Sequence, residues 1–125
     1  MAVEQKPEYF DAEVGSTALA QFRFVAWSAT AAGRVVFPSA GAPIAGVVVS
    51  NDFRAVGRAC TVQSAGIAKV QAAASTLAFG DAVVCGTAGK AANSSAGDYR
   101  VGTVYRGSSG NIRLLSIDLS PIGTT

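Results

Sequence analysis

The sequence predicts an all-β protein, a small sandwich or partly open barrel of about eight short strands with at most one short helical turn, preceded by an extended N-terminal arm. Three observations predict it. Glycine-bounded runs that are β-branched or alternating recur as GVVVS (46–50), GRACTV (57–62), GIAKVQA (66–72), GDAVVCG (80–86), VGTVY (101–105) and NIRLLSIDL (111–119). Helical periodicity is almost missing, since AAAST (72–76) is the one good helical candidate and is too short to stand alone. The 125 residues fit one domain, yet with six Phe, three Tyr and one Trp against 14 glycines the core is lean for its length.

The elements follow in order. Residues 1–15 carry Glu4, Glu8, Asp11 and Glu13 against Lys6 alone, so an acidic arm precedes a mildly basic body at 16–120 and a tail at 121–125. The arm either docks on a neighbouring basic surface or is a solvated terminus; Tyr9, Phe10 and Val14 are costly residues for a tail that touches nothing. In AQFRFVAW (20–27), Phe22 and Phe24 fall on one face, and Arg23, Val25 and Trp27 on the other. Trp27 is then a lid over the core or a contact residue. RVVF (34–37) forms a second strand that Pro38 closes. IAGVVVS (44–50) is a near-continuous apolar run, as expected of a strand covered on both faces.

Asn51-Asp52 favours a turn. GRACTVQ (57–63) alternates, and SAG (64–66) is expected to turn it back into GIAKVQA as a hairpin. After VVC (83–85), the polar stretch GTAGKAANSSAGD (86–98) is expected as an exposed loop, with a short strand at 90–92. YRVGTVY (99–105) alternates again. In the last strand the apolar face changes phase, from Ile112 and Leu114 to Leu115, Ile117 and Leu119. Such a slip predicts a β-bulge near Leu114–Leu115, or a strand that switches between two packed faces.

The chemical inventory is thin. The chain has no histidine and two cysteines, so no metal site is expected, and no catalytic or cofactor-binding residue is assigned. GTAGK (86–90) lacks the glycine and the hydroxyl residue of a phosphate-binding loop, because Val84 and Ala91 stand at those places. GSSG (107–110) lacks the spacing of a nucleophile elbow. Cys60 and Cys85 both fall in expected strands, where they can be neighbours, and read as reduced, buried thiols. The nine basic residues of the body are scattered singly, so direct nucleic-acid binding is not expected. No secretory signal and no long apolar run appears, so no membrane partner is expected either, and the protein is expected to be made in a cytoplasm.

The order of the motifs carries a resemblance. AGVVVSND (45–52), VGRACTVQSAGIAKVQA (56–72), FGDAVVCGTAGKA (79–91) and YRVGTVYRGSSGNIRLLSIDL (99–119) together resemble the phage capsid cement, or decoration, proteins. Gly46-Val47, Gly57, Val62, Gly66, Val70, Gly80-Asp81, Val83, Gly89, Val101-Gly102 and Ile117-Leu119 fill the family's places over roughly residues 16 to 119. The acidic arm has no counterpart in that pattern.

The resemblance implies a structural protein on the outer surface of an icosahedral phage head, assembled in the host cytoplasm. Its partners would be the major capsid protein and further copies of itself, as a homotrimer, clamping adjacent subunits against internal DNA pressure. No enzymatic activity is implied. Aromatic residues and arginine commonly anchor interfaces, so the expected contacts are Tyr9, Phe10 and Val14 of the arm, Trp27, and Phe53 with Arg54. The alternative is a fibre or receptor-binding module that takes glycan on the 86–98 and 106–111 loops, with Tyr99 and Tyr105 as the aromatic platform.

Overall fold

A computed structural model describes residues 8–15, 21–30, 32–49, 57–72, 80–93, 99–107 and 112–117, with the side chains of 105–107 and 112–117 left aside. Among the described residues there are ten strands and one 3-10 turn. The first five are β1 (Glu8–Val14), β2 (Arg23–Trp27), β3 (Arg34–Val36), β4 (Gly46–Val48) and β5 (Ala59–Ala65). They close into a barrel in the order β1-β3-β2-β4-β5, β1 meeting β3 in parallel and β5 antiparallel. Closure leaves this sheet without a free edge strand.

The second half builds β6 (Ile67–Gln71), β7 (Ala82–Cys85), the turn at Thr87–Gly89, β8 (Ala91–Asn93), β9 (Gly102–Gly107) and β10 (Ile112–Ile117). These strands form an antiparallel sheet in the order β6-β10-β9-β7-β8. Its two outer strands meet at an isolated parallel bridge between Ala72 and Ala91, so the sheet curls almost to closure.

The apolar side chains divide into two clusters for a reason visible in β2 and β4. Successive side chains of a strand point to opposite faces. Val25 and Val48 enter the barrel with Ala12, Val14, Val35, Cys60 and Val62. Their neighbours Phe24 and Val47 face the second sheet and pack with Val70, Val83, Cys85, Val101 and Val104. Both strands are thus covered on both faces, as the run at 44–50 predicts. Among the described residues Phe24 is the largest fully buried side chain, and the other large ones are all valines.

Arg23 ties the two halves together. Its Nε donates to Gln71 Oε1 at 3.0 Å, and its Nη1 donates to the Ala88 carbonyl at 3.0 Å. Gly89 makes that close approach possible. It has a φ of +75°, and a Cβ there would stand 2.5 Å from the Phe24 carbonyl oxygen and 3.0 Å from Phe37 Cδ1. An L side chain pays the left-handed penalty and meets backbone besides.

Two expectations need correction. The SAG segment does not form a hairpin: β5 lies in the barrel and β6 pairs with β10 in the other sheet. Gly66, at φ +89°, turns the chain from one sheet into the other. The buried Gln63 fixes that corner, its Nε2 donating to the carbonyls of Ala65 and Ile67 at 2.9 and 3.1 Å. The second correction concerns the arm. Residues 8–14 are a strand of the barrel, paired on both sides at its C-terminal end, because Phe10, Ala12 and Val14 alternate inward with Tyr9, Asp11 and Glu13 outward. Residues 1–7 lie outside the described residues.

The phase slip in the last strand is where it was expected. The register between β10 and β9 shifts between Leu114 and Leu115, which face Arg106 and Val104, so Tyr105 is the extra residue of the bulge. The short strand expected at 90–92 is β8, one residue further on. The helical turn expected at 72–76 falls mostly on residues outside those described.

Candidate functional site

Among the described residues the most exposed large apolar side chains are Tyr9 and Trp27, at 56% and 53% of their full accessibility. Both sit at one end of the barrel. Trp27 closes β2 at the end opposite Phe37, since β2 and β3 run antiparallel with Ala26 facing Val36 and Trp27 facing Val35. Phe10 shares the inward register of Ala12 and Val14 and packs against the barrel core. Its ring stacks on Trp27 with centroids 5.1 Å apart and planes 23° apart. Trp27 is therefore both a lid and an exposed surface, one face held by Phe10.

The outer face of β1 next to this stack is acidic. Glu8, Tyr9, Asp11 and Glu13 are exposed. Glu13 meets Arg34 Nε at 3.3 Å across the parallel pair, a surface contact worth roughly 0–1 kcal/mol. Asp11 accepts a hydrogen bond from Thr61 Oγ1 at 3.3 Å, a neutral partner that leaves its charge in place. That charge is felt underneath, where burial first and Asp11 second push the Cys60 thiol up.

The six expected contact residues fare differently. Phe10 and Trp27 come together at the barrel end, and Tyr9, next to Phe10 in β1, is exposed on the outer face. Val14 is fully buried in the lumen with Ala12 and Val35, as its place in the alternation of β1 implies. Phe53 and Arg54 lie outside the described residues. Tyr99 is 42% exposed and its N–H donates to the Gly41 carbonyl; residues 94–98 and 108–111 lie outside the described residues. Sequence reasoning missed the Phe10–Trp27 pairing, which joins residues in different strands and leaves no local signal.

The cysteines offer no reactive centre. Both are free and buried, and they belong to different clusters, Cys60 to the barrel lumen and Cys85 to the core between the sheets. They are not the neighbours that their strand positions allowed. Burial pushes the Cys85 thiol from 9.0 up to about 12. A raised thiol pKa adds stability that is complete below the unfolded value and fades as pH climbs through the folded one. Denaturant midpoints should therefore fall as pH rises from about 9 towards about 12, and Cys85→Ala should reduce that slope. A slope unchanged in the variant contradicts this. No group of three or more potential metal ligands occurs among the described residues.

The fold is a closed five-stranded barrel packed on a curled five-stranded sheet. Among solved structures, the chain is similar to the N base of head fibre gp8.5 of bacteriophage phi29, with a TM-score of 0.68 and 20% identity over 92% of this chain and 97% of that one. At that identity the likeness shows a shared fold. No protein-family model and no curated protein matches the sequence.

Proposed function

We propose that this chain is a structural protein of a phage virion, seated on the outer surface of the head and working by shape and grip with no catalytic step. The observation that carries this reading is the likeness, along nearly the whole of both chains, to the base of a phage head fibre. The order of glycine-bounded strands, which resembles the capsid cement proteins, supports the same placement from the sequence side. In this reading the partner is the major capsid protein, whose adjacent subunits the protein clamps as a homotrimer.

The architecture suits such a task. A closed barrel joined to a second sheet through Arg23 and a shared core resists deformation, and its edge-free sheet discourages unwanted strand pairing. Repetition over a lattice converts modest contacts into high avidity. The aromatic end of the barrel, with Tyr9, Phe10 and Trp27, is the contact surface in this reading, since rigid aromatic side chains lose little entropy on binding.

A second reading is favoured by the same neighbour. That neighbour is the base of a head fibre, and in this second reading the chain is a platform on the head and not a clamp. Co-sedimentation with DNA-filled heads stripped of this protein separates the readings. Clamping predicts saturable binding and a rise in the temperature at which the heads release DNA. Saturable binding without that rise favours the platform, and absence of binding overturns both.

A further inference from the structure

We propose that β1 overhangs β3 as a short docking edge for a partner strand of alternating basic and apolar residues, which pairs with the backbone of Tyr9 and Asp11. This rests on the reading that the chain docks on a larger partner, and it names how that contact is made.

Hydrogen-bond direction singles out this edge. Along a strand, the N–H and C=O groups of successive residues serve opposite neighbours. The Val14 N–H donates to the Arg58 carbonyl on the β5 side, whereas the N–H groups of Glu13 and Gly15 donate to the Gly33 and Val35 carbonyls on the β3 side. By that alternation Phe10 and Ala12 bond to their β5 partners Val62 and Cys60, and Tyr9 and Asp11 present their N–H and C=O groups towards the β3 side. The strand β3 does not reach them. Its ladder matches Glu13 with Arg34 and Val14 with Val35 and goes no further, while β5 accompanies β1 back to Glu8. The barrel closes, so no strand of it is an edge along its whole length. Among the described residues, however, nothing pairs with this side of β1 at Tyr9 and Asp11. Unpaired backbone groups on an extended strand are a template for another chain.

The side chains choose the occupant. Tyr9, Asp11 and Glu13 share the outer face of β1, and all three are exposed. Where β3 does cover this side of β1, the residue opposite Glu13 is Arg34, and the two side chains meet at 3.3 Å. A strand added beyond β3 sets its own side chains opposite Tyr9 and Asp11 in the same way. A basic residue there answers the Asp11 carboxylate, whose hydrogen bond from Thr61 brings no charge. At the level of Phe10 the added side chain falls on the inner face, beside the ring that stacks on Trp27, so an apolar residue fits that place. A second copy of β1 is a poor occupant, because pairing two such edges crowds the carboxylates of both onto one face.

The test uses the full chain and the end-blocked peptide Arg-Val-Arg-Val-Arg-Val, with two relatives of equal charge, N-methylated at the arginines or at the valines. In the free chain, amide hydrogen exchange followed by NMR should be faster at Tyr9 and Asp11 than at Phe10 and Ala12. The peptide should bind saturably and slow exchange at Tyr9 and Asp11 by about tenfold or more. Antiparallel addition bonds through the peptide residues opposite Tyr9 and Asp11, and parallel addition through the residues between them. One methylated relative should therefore lose about tenfold in affinity while the other keeps it. Asp11→Asn should weaken binding several-fold. Tyr9→Pro removes an unpaired donor, which an edge position tolerates, and should abolish binding at an unchanged melting temperature. Where that variant is unstable, the methylated peptides decide the matter on the unaltered chain. Equal binding by all three peptides shows plain charge attraction and overturns the proposal. Equally slow exchange at all four amides in the free chain also overturns it, as does a dimer formed through this edge without peptide. Heads that take up Tyr9→Pro as well as the unaltered chain overturn it while leaving the virion reading standing. Peptide binding without head binding supports the edge and removes the virion reading.

Discussion

Deletion of residues 1–14 is expected to unfold the barrel. The segment is acidic and terminal, which suggests a tail, yet β1 lies between β3 and β5 and closes the sheet. Its loss removes two ladders of backbone hydrogen bonds and takes Phe10, Ala12 and Val14 out of the lumen. Val25, Val35, Val48 and Val62 would then face water. Burial of the lost side chains and the net value of their hydrogen bonds come to on the order of 5 kcal/mol. A small domain has about 5–15 kcal/mol in total. The truncated chain should lose its cooperative melting transition, followed by far-ultraviolet circular dichroism. A truncated chain that melts like the full one would show that β1 is dispensable.

Phe24→Ala should be the most damaging single truncation. Among the described residues Phe24 is the largest fully buried side chain, and it packs in the core shared by the barrel and the second sheet. Its neighbours Val47, Val70, Val83, Val101 and Val104 are β-branched and stiff, so they relax poorly into the space left behind. The expected cost is about 3–5 kcal/mol, read as a lower denaturant midpoint at unchanged slope. The matched change Val25→Ala, inside the barrel lumen, removes fewer atoms and should cost less. Equal losses at the two sites would contradict the claim that the joint between the halves rests on Phe24.

Much of the fold was legible because it follows from local pattern. The apolar run at 44–50 gives a strand buried on both faces, and Val47 and Val48 enter different cores. The slip between Leu114 and Leu115 gives the register shift found there. Pairing was not legible, because strand partners depend on the whole chain. The SAG corner reads as a hairpin turn by composition, whereas Gly66 and the buried amide of Gln63 send the chain into another sheet. The acidic arm misled because its carboxylates dominate its composition, while the alternation of Phe10, Ala12 and Val14 already had the period of a half-buried strand. Tyr9 and Trp27 were picked out by residue type. The stacking of Phe10 on Trp27 depends on barrel closure, which no window of sequence displays.

A cryo-electron microscopy map of heads carrying this chain tests the central claim most directly. The account predicts density for the barrel on the head exterior, with the Tyr9–Trp27 end turned towards capsid subunits. Heads with no such density, or a barrel whose aromatic end faces solvent, would contradict it.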